Sequence, residues 1–205
     1  ITSLCFYFFK DILKIIFHFF SGISLFVCRE EPFRHVYYSD TFFKIACLII
    51  VSSVFTGLIG VTFKDYFEKF FSSLNAVSFF LILGGVIIIF AEWKGKSKRK
   101  DVEANILDAI LIGFAQGLAI APGLSRSGIT VSSALLRDFE RKFAARFSFL
   151  LSIPAILGAA LLEMGELSSL FTTLQNRWAI TLGFLSSFIS GIIAIKIFMR
   201  IIENR

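Results

Sequence analysis

Arg126 is the only formal charge between Asp108 and Arg137, in more than two dozen residues that are otherwise apolar, small or uncharged. It sits in the run GFAQGLAIAPGLSRSGITVSSALL, from Gly113 to Leu136, flanked by Ser125 and Ser127. Thr130 follows, Gly123 and Gly128 bracket the serines, and Gln116 lies upstream of the Pro122-Gly123 break. These residue types suit the binding of an oxygen-rich anion. A guanidinium offers a fork of N–H groups matched to phosphate oxygens, and serine and threonine hydroxyls add neutral donors. A helix starting near Gly128 would add free N–H groups and the positive end of its dipole, while glycine lets backbone approach closely. The pattern therefore reads as a phosphate or diphosphate site, with Arg126 as its central cation. Structural roles compete with that reading: serine, threonine and glycine pack helices in membranes, and Gln116 is equally suited to bonding a neighbouring helix.

A site of this kind must be positioned at membrane depth. The chain of 205 residues is 56% hydrophobic, carries 27 phenylalanines and has a mean hydropathy of +0.80, values that belong to an integral membrane protein. The net charge of +6 does not point to nucleic acid, because the basic residues gather in short runs beside apolar spans. Cys5, Cys28 and Cys47 are odd in number and lack metal-ligand spacing, so they read as small buried hydrophobes. With His18 and His35 as the only histidines, no metal site is expected in this chain. An arginine at the bilayer centre costs at least ~2.5 kcal/mol. A carboxylate or a bound anion is expected to offset it.

The fold expected is all-α, a single integral-membrane domain over 1–205. It contains about four full transmembrane helices, a partial one at residues 1–9 and an interfacial amphipathic segment to about Val27. The spans are expected at 41–63, 76–91, 143–162 and 178–199, with an amphipathic surface connection at 64–75 and a polar loop at 163–177. Pro154 should kink its helix. The run KGKSKRK at 94–100 and the basic loop at 137–146 belong on one side by the positive-inside rule. The stretch between them must then cross an even number of times. Residues 106–121 would make a helix of ~24 Å, short of a ~30 Å hydrocarbon core. A re-entrant hairpin at about 106–137, with a non-helical tip at 121–128, satisfies both conditions.

The joint pattern PG-x-SRSG-x-T, followed by AA-x-FSFLLSIP within RKFAARFSFLLSIPAILGAALLE, resembles the second signature region of the undecaprenyl-pyrophosphate phosphatase (bacitracin-resistance) family. The segment FKDYFEKFF and its surroundings resemble that family's middle region. The resemblance implies a multi-pass enzyme of the bacterial cytoplasmic membrane that hydrolyses undecaprenyl diphosphate to the monophosphate, recycling the lipid carrier of cell-wall synthesis. It implies Arg126 as the catalytic cation on the diphosphate, Ser125 and Ser127 as donors beside it, and Gln116, Gly123, Gly128 and Thr130 as residues shaping the site. A divalent cation, Mg or Ca, is implied too, with its ligands in an N-terminal motif of glutamates, serine and histidine that is not among these residues. The chain is therefore expected to be truncated at both ends and to supply the Arg/Ser half of a site whose nucleophile and base lie elsewhere. Its partners would be the polyprenyl diphosphate and the bilayer, with pairing as a homodimer left open. A transporter or flippase for an anionic polyprenyl lipid, and an inactive fragment, are the competing expectations. Two positions depart from the family pattern: Asp138 stands where glycine is usual, and Ser52 where proline is usual.

Overall fold

The computed structural model describes residues 1–28, 32–170 and 177–203. Among them the helices run α1 Thr2–Tyr7, α2 Phe9–Val27, α3 Phe33–Ser39, α4 Thr41–Phe71, α5 Leu74–Lys94, α6 Ile106–Leu118, α7 Arg126–Leu136, α8 Arg141–Leu170 and α9 Arg177–Glu203. Among the described residues, four segments are long and apolar enough to cross a membrane: Thr41–Phe71, Leu74–Lys94, Arg141–Leu161 and Ile180–Ile202. Their outward faces carry leucine, isoleucine, valine and phenylalanine, as a helix in lipid requires. The protein is a multi-pass, all-α membrane protein.

Helix directions follow from a few close contacts. Along α4 and α6, Gly113 meets Ser52, Gly117 meets Ile59 and Gly60 meets Ile120, so the two helices run parallel. Along α5 and α7, Gly123 meets Val77, Leu124 meets Gly84 and Gly128 meets Ile88, so these also run parallel. Both ends of the α6–α7 pair therefore lie at one end of the bundle, beside Lys94–Lys100, as the basic loops require. With 13 and 11 residues, α6 and α7 reach only ~20 Å and ~17 Å. They form a re-entrant hairpin.

The hairpin's two ends are fastened together by an ion cluster. The Asp108 carboxylate, 1% exposed, accepts from Arg99 at 2.8 and 3.2 Å and from Arg137 Nε at 2.6 Å. It also accepts the Asn105 amide at 3.0 Å, while Asn105 caps the start of α6 by accepting the Asp108 amide. Arg99 further donates to the Arg137 carbonyl at 3.0 Å and lies 4.4 Å above the Phe139 ring. The hydrogen bonds to Asp108 hold the Arg99 guanidinium above the usual arginine range, against a partial loss of hydration. Around this cluster packs a core that includes Leu48, Ala91, Ile112, Ala134, Phe139, Phe147 and Leu151.

Three contacts along α2 all go to that same basic end: Asp11 to Arg146, His18 to Asp40, and Gly22 to Phe43. A 19-residue helix can make them only by lying across the end of the bundle, the interfacial placement expected from its amphipathic pattern. The short α1 packs on α9, with Ser3 Oγ donating to the Phe188 carbonyl at 3.0 Å.

Some boundaries differ from the sequence expectation. Residues 64–71 are not a surface connection but the last two turns of α4, kept helical through an alternation of charge in which Lys64 and Glu68 pair at 3.5 Å across one turn. Similarly α8 continues past 162 to Leu170, so the connection to α9 is shorter than 163–177. Residues 171–176 of that expected loop lie outside the described residues. Cys28 is exposed, whereas Cys5 and Cys47 are half-buried. At Asp138 the backbone φ is +64°, a left-handed conformation that explains why glycine suits this position. Its side chain accepts the Lys96 amide at 3.0 Å, and its carbonyl accepts the amides of Lys98 and Arg99. Ser52 continues α4 without a break and donates to the Ala109 carbonyl at 2.7 Å, stitching α4 to α6.

Candidate phosphate-binding site at the hairpin tip

The tip occupies residues 119–125, and α7 starts at Arg126, two residues before the start expected at Gly128. Ser125 is the cause. With extended backbone, its Oγ accepts the Gly128 amide at 3.2 Å and caps the helix. The amides of Arg126 and Ser127 are left without a protein acceptor among the described residues. Gly123 turns the chain with φ +92°, where a Cβ would come within 2.7 Å of the Val77 carbonyl. Only glycine meets both conditions. Val77 is ~26 Å along α5 from Lys94, so the tip passes beyond the middle of the bilayer.

A cavity of about 500 Å³ opens at this tip. Ala121, Pro122, Gly123, Leu124, Arg126 and Ser127 form one wall, while Phe149, Ser152 and Ile156 of α8 form another. Leu4 and Phe71 complete an apolar rim. Arg126 is half-buried, and among the described residues no carboxylate or hydrogen-bond acceptor pairs with its guanidinium. Arg99, Arg137, Arg141 and Arg146 each pair with an acid. At the cavity, Arg126 stands with the amides and dipole of an 11-residue helix behind it and the exposed Ser127 hydroxyl beside it. The combination concentrates positive potential in a cavity with an apolar rim, which suits the anionic head of an amphiphile.

Other residues expected at the site serve it from outside the cavity. Thr130 is 1% exposed, donates to the Arg126 carbonyl at 2.9 Å, and hydrogen-bonds Ser148 of α8. It locks the first turn of α7 rather than presenting a donor to the cavity. Gln116, 1% exposed, donates to Thr56 Oγ1 of α4 at 3.4 Å, and its Oε1 has no partner among the described residues. This is the interhelical amide that competed with a site role in the sequence. Gly128 admits Ile88 of α5 against α7. Ser152 donates to the Phe149 carbonyl of its own helix at 2.7 Å and also lines the cavity. Its spacing from Phe149 in FSFLLSIP carries no sign of that second role.

Among the described residues the cavity lining carries no carboxylate or imidazole, and no group of three His, Cys, Asp or Glu side chains gathers to hold a metal ion.

All of the chain, residues 1–205, matches the family described as bacitracin resistance protein BacA. The chain belongs to this family. Curated relatives carry the name undecaprenyl-diphosphatase. The protein of Methanothermobacter thermautotrophicus is 44% identical over 77% of this chain and 88% of its own length. That of Carboxydothermus hydrogenoformans is 44% identical over 78% of the chain and 62% of its own length. The Methanobrevibacter smithii protein is 33% identical across 100% of the chain and 73% of its own length. Against the Carboxydothermus protein, the chain thus spans less than two thirds of the relative it matches.

Proposed function

We propose that this chain binds the diphosphate of undecaprenyl diphosphate at the hairpin tip and takes part in its hydrolysis to the monophosphate. The observation that carries the reading is Arg126: a cation inside the membrane, unpaired among the described residues, at the first turn of α7 and facing a cavity with an apolar rim. Hydrolysis of a phosphoanhydride builds negative charge on the leaving phosphate. A guanidinium and two free amides already aimed at that position stabilise it without reorganising. Ser127 is placed to donate to a second oxygen, while Ser125 keeps the helix end open by capping Gly128. Leu4, Phe71, Phe149 and Ile156 offer the prenyl chain a dry path next to its head group.

Among the described residues the cavity lining has no general base, so the nucleophile and the base are proposed to come from outside these tip residues, and the divalent cation implied by the resemblance to take its ligands there as well. In a cell the chain is proposed to reside in the cytoplasmic membrane with its basic end toward the cytoplasm, and pairing of two copies is a separate proposal that cross-linking in membranes tests.

The test is phosphate release from undecaprenyl diphosphate by purified protein, comparing wild type with Arg126→Ala, Arg126→Lys and Ser127→Ala. Loss of a preorganised donor to developing charge is expected to lower kcat by ~10²–10³-fold for Arg126→Ala. Arg126→Lys should recover only part of this, since an ammonium cannot make the two-pronged contact. Ser127→Ala should lose roughly tenfold or less, the value of one neutral hydrogen bond. Arg126→Ala retaining wild-type turnover would overturn the assignment. Movement of the lipid between vesicle leaflets without phosphate release would replace hydrolysis with transport.

A further inference from the structure

The turn between α7 and α8 is short, so the two helices run antiparallel, and Thr130 of one hydrogen-bonds Ser148 of the other. That bond sets their register. One turn nearer the tip, ~6 Å along each axis, α7 carries Arg126 and α8 carries Ser152. The two residues therefore stand level on facing walls, and both line the tip cavity. Among the described residues that α8 gives to this cavity, Phe149, Ser152 and Ile156, Ser152 alone is polar. Ser148 precedes it by one turn on the same face and Ile156 follows by one, so the face changes there from hydroxyl to hydrocarbon.

Ser152 can serve a ligand where Thr130 cannot. Thr130 is buried, and its hydroxyl is taken up by the Arg126 and Ser127 carbonyls and by Ser148. Ser152 is half-buried and has one partner, the Phe149 carbonyl. That carbonyl also accepts the Ile153 amide in the ladder of α8, so it is not stranded when the hydroxyl turns away. Rotation of Ser152 between staggered χ1 wells then aims its proton into the cavity.

We infer that Ser152 is a substrate-binding residue, whose hydroxyl donates to the phosphate that carries the prenyl chain while Arg126 and the free amides of α7 take the terminal phosphate. The inference rests on the reading of the tip as a diphosphate site. The order of the two phosphates follows from the lining. Arg126 and Ser127 stand at the amide-bearing start of α7, whereas Ser152 is one turn from Ile156 and shares the cavity with the apolar Leu4 and Phe71. A lipid whose chain leaves along Ile156 passes its inner phosphate across Ser152. The head group is then gripped from two helices at once, with their spacing fixed one turn away by the bond between Thr130 and Ser148.

The test is calorimetric titration of the full chain in detergent with two probes. One is farnesyl diphosphate with a methylene bridge in place of the anhydride oxygen, which cannot be hydrolysed, and the other is farnesyl phosphate. Ser152→Ala should weaken both about five- to tenfold, the value of one hydrogen bond to a phosphate. Ser152→Thr keeps the hydroxyl and should bind within about twofold of wild type. Arg126→Ala should weaken the diphosphate by ~30-fold or more and the monophosphate far less. The control Ser186→Ala deletes a like bond, to the Gly183 carbonyl of α9 at an exposed position, and should change neither. Full diphosphate binding by Ser152→Ala beside a loss in Arg126→Ala would overturn the inference and leave the tip reading intact. A loss that Ser152→Thr fails to restore, or a loss confined to the diphosphate, would also overturn it. No binding by wild type, or no loss in either Ser152→Ala or Arg126→Ala, would overturn the tip reading and the inference with it.

Discussion

Replacing Asp108 by asparagine removes one charge and almost no volume, and the structure sets the size of the consequence. Asparagine can still accept the Asn105 amide, so the cap of α6 survives. What is lost is the partner of two guanidiniums, Arg99 and Arg137, whose side chains are 23% and 34% exposed. Removing one member of a buried ion pair costs ~3–5 kcal/mol, because the other is stranded. Here both arginines can reach some water, and Arg99 keeps the Arg137 and Glu103 carbonyls, so the lower end, ~3 kcal/mol, is expected. For a chain of this size each kcal/mol moves Tm by ~2–4 °C, so Asp108→Asn should melt ~6–12 °C below wild type in detergent. Arg137→Gln removes a partner from the same carboxylate. If the cluster acts as a unit, the double variant should cost ~1–3 kcal/mol less than the sum of the singles. A loss under ~1 kcal/mol for Asp108→Asn, or strict additivity with Arg137→Gln, would refute the view that this cluster fastens the hairpin's ends.

Two further tests probe the scaffold. At Gly113 a Cβ would lie 2.7 Å from Ser52 Cα, backbone that cannot swing aside, so Gly113→Ala should push α4 from α6 at a cost of ~1–3 kcal/mol, read as a fall in Tm with the Ser52–Ala109 and Thr56–Gly113 bonds weakened. The Asp40 carboxyl is raised by burial but brought below the usual range by the His18 hydrogen bond and by the amides of Phe43 and Phe42. A carboxyl whose pKa is lower folded than unfolded contributes stability above its unfolded value and loses it as pH falls through the folded one. The Tm gap between wild type and Asp40→Asn should therefore stay constant above about pH 5 and close below about pH 4; closure between pH 5 and 7 would contradict it.

The hairpin was legible in the sequence because two independent constraints, short apolar segments and basic loops on one side, left a single solution. The broken backbone and helix cap at the tip were legible too, since Pro122, Gly123 and the serines around Arg126 announce a break and a cap within a few residues. The fastening of the hairpin was not. Asp108 and Arg137 stand 29 residues apart, and Arg99 precedes both, so only folding brings them together, although their bracketing of the uncharged stretch was the available sign. Thr130 was misleading for a different reason. Its spacing puts it on the Arg126 face of α7, but that hydroxyl is consumed by the Arg126 carbonyl and Ser148, a partner 18 residues away. The extension of α4 to Phe71 was hidden by alternating charges, which read equally as a surface connection, and with it was hidden Phe71's place on the cavity rim.

The shortness of α6 and α7 bears on how the protein is made. Neither is long enough to be threaded into a bilayer by itself, and the seven residues between them carry backbone groups that lipid cannot satisfy. The pair must enter already folded back, against surfaces that wait for it: Ser52 and Ile59 of α4 on one side, Val77, Gly84 and Ile88 of α5 on the other. Those helices leave the ribosome first. The order of the chain is therefore also an order of construction, in which two spanning helices are set before the segment that bears Arg126 has a place to go.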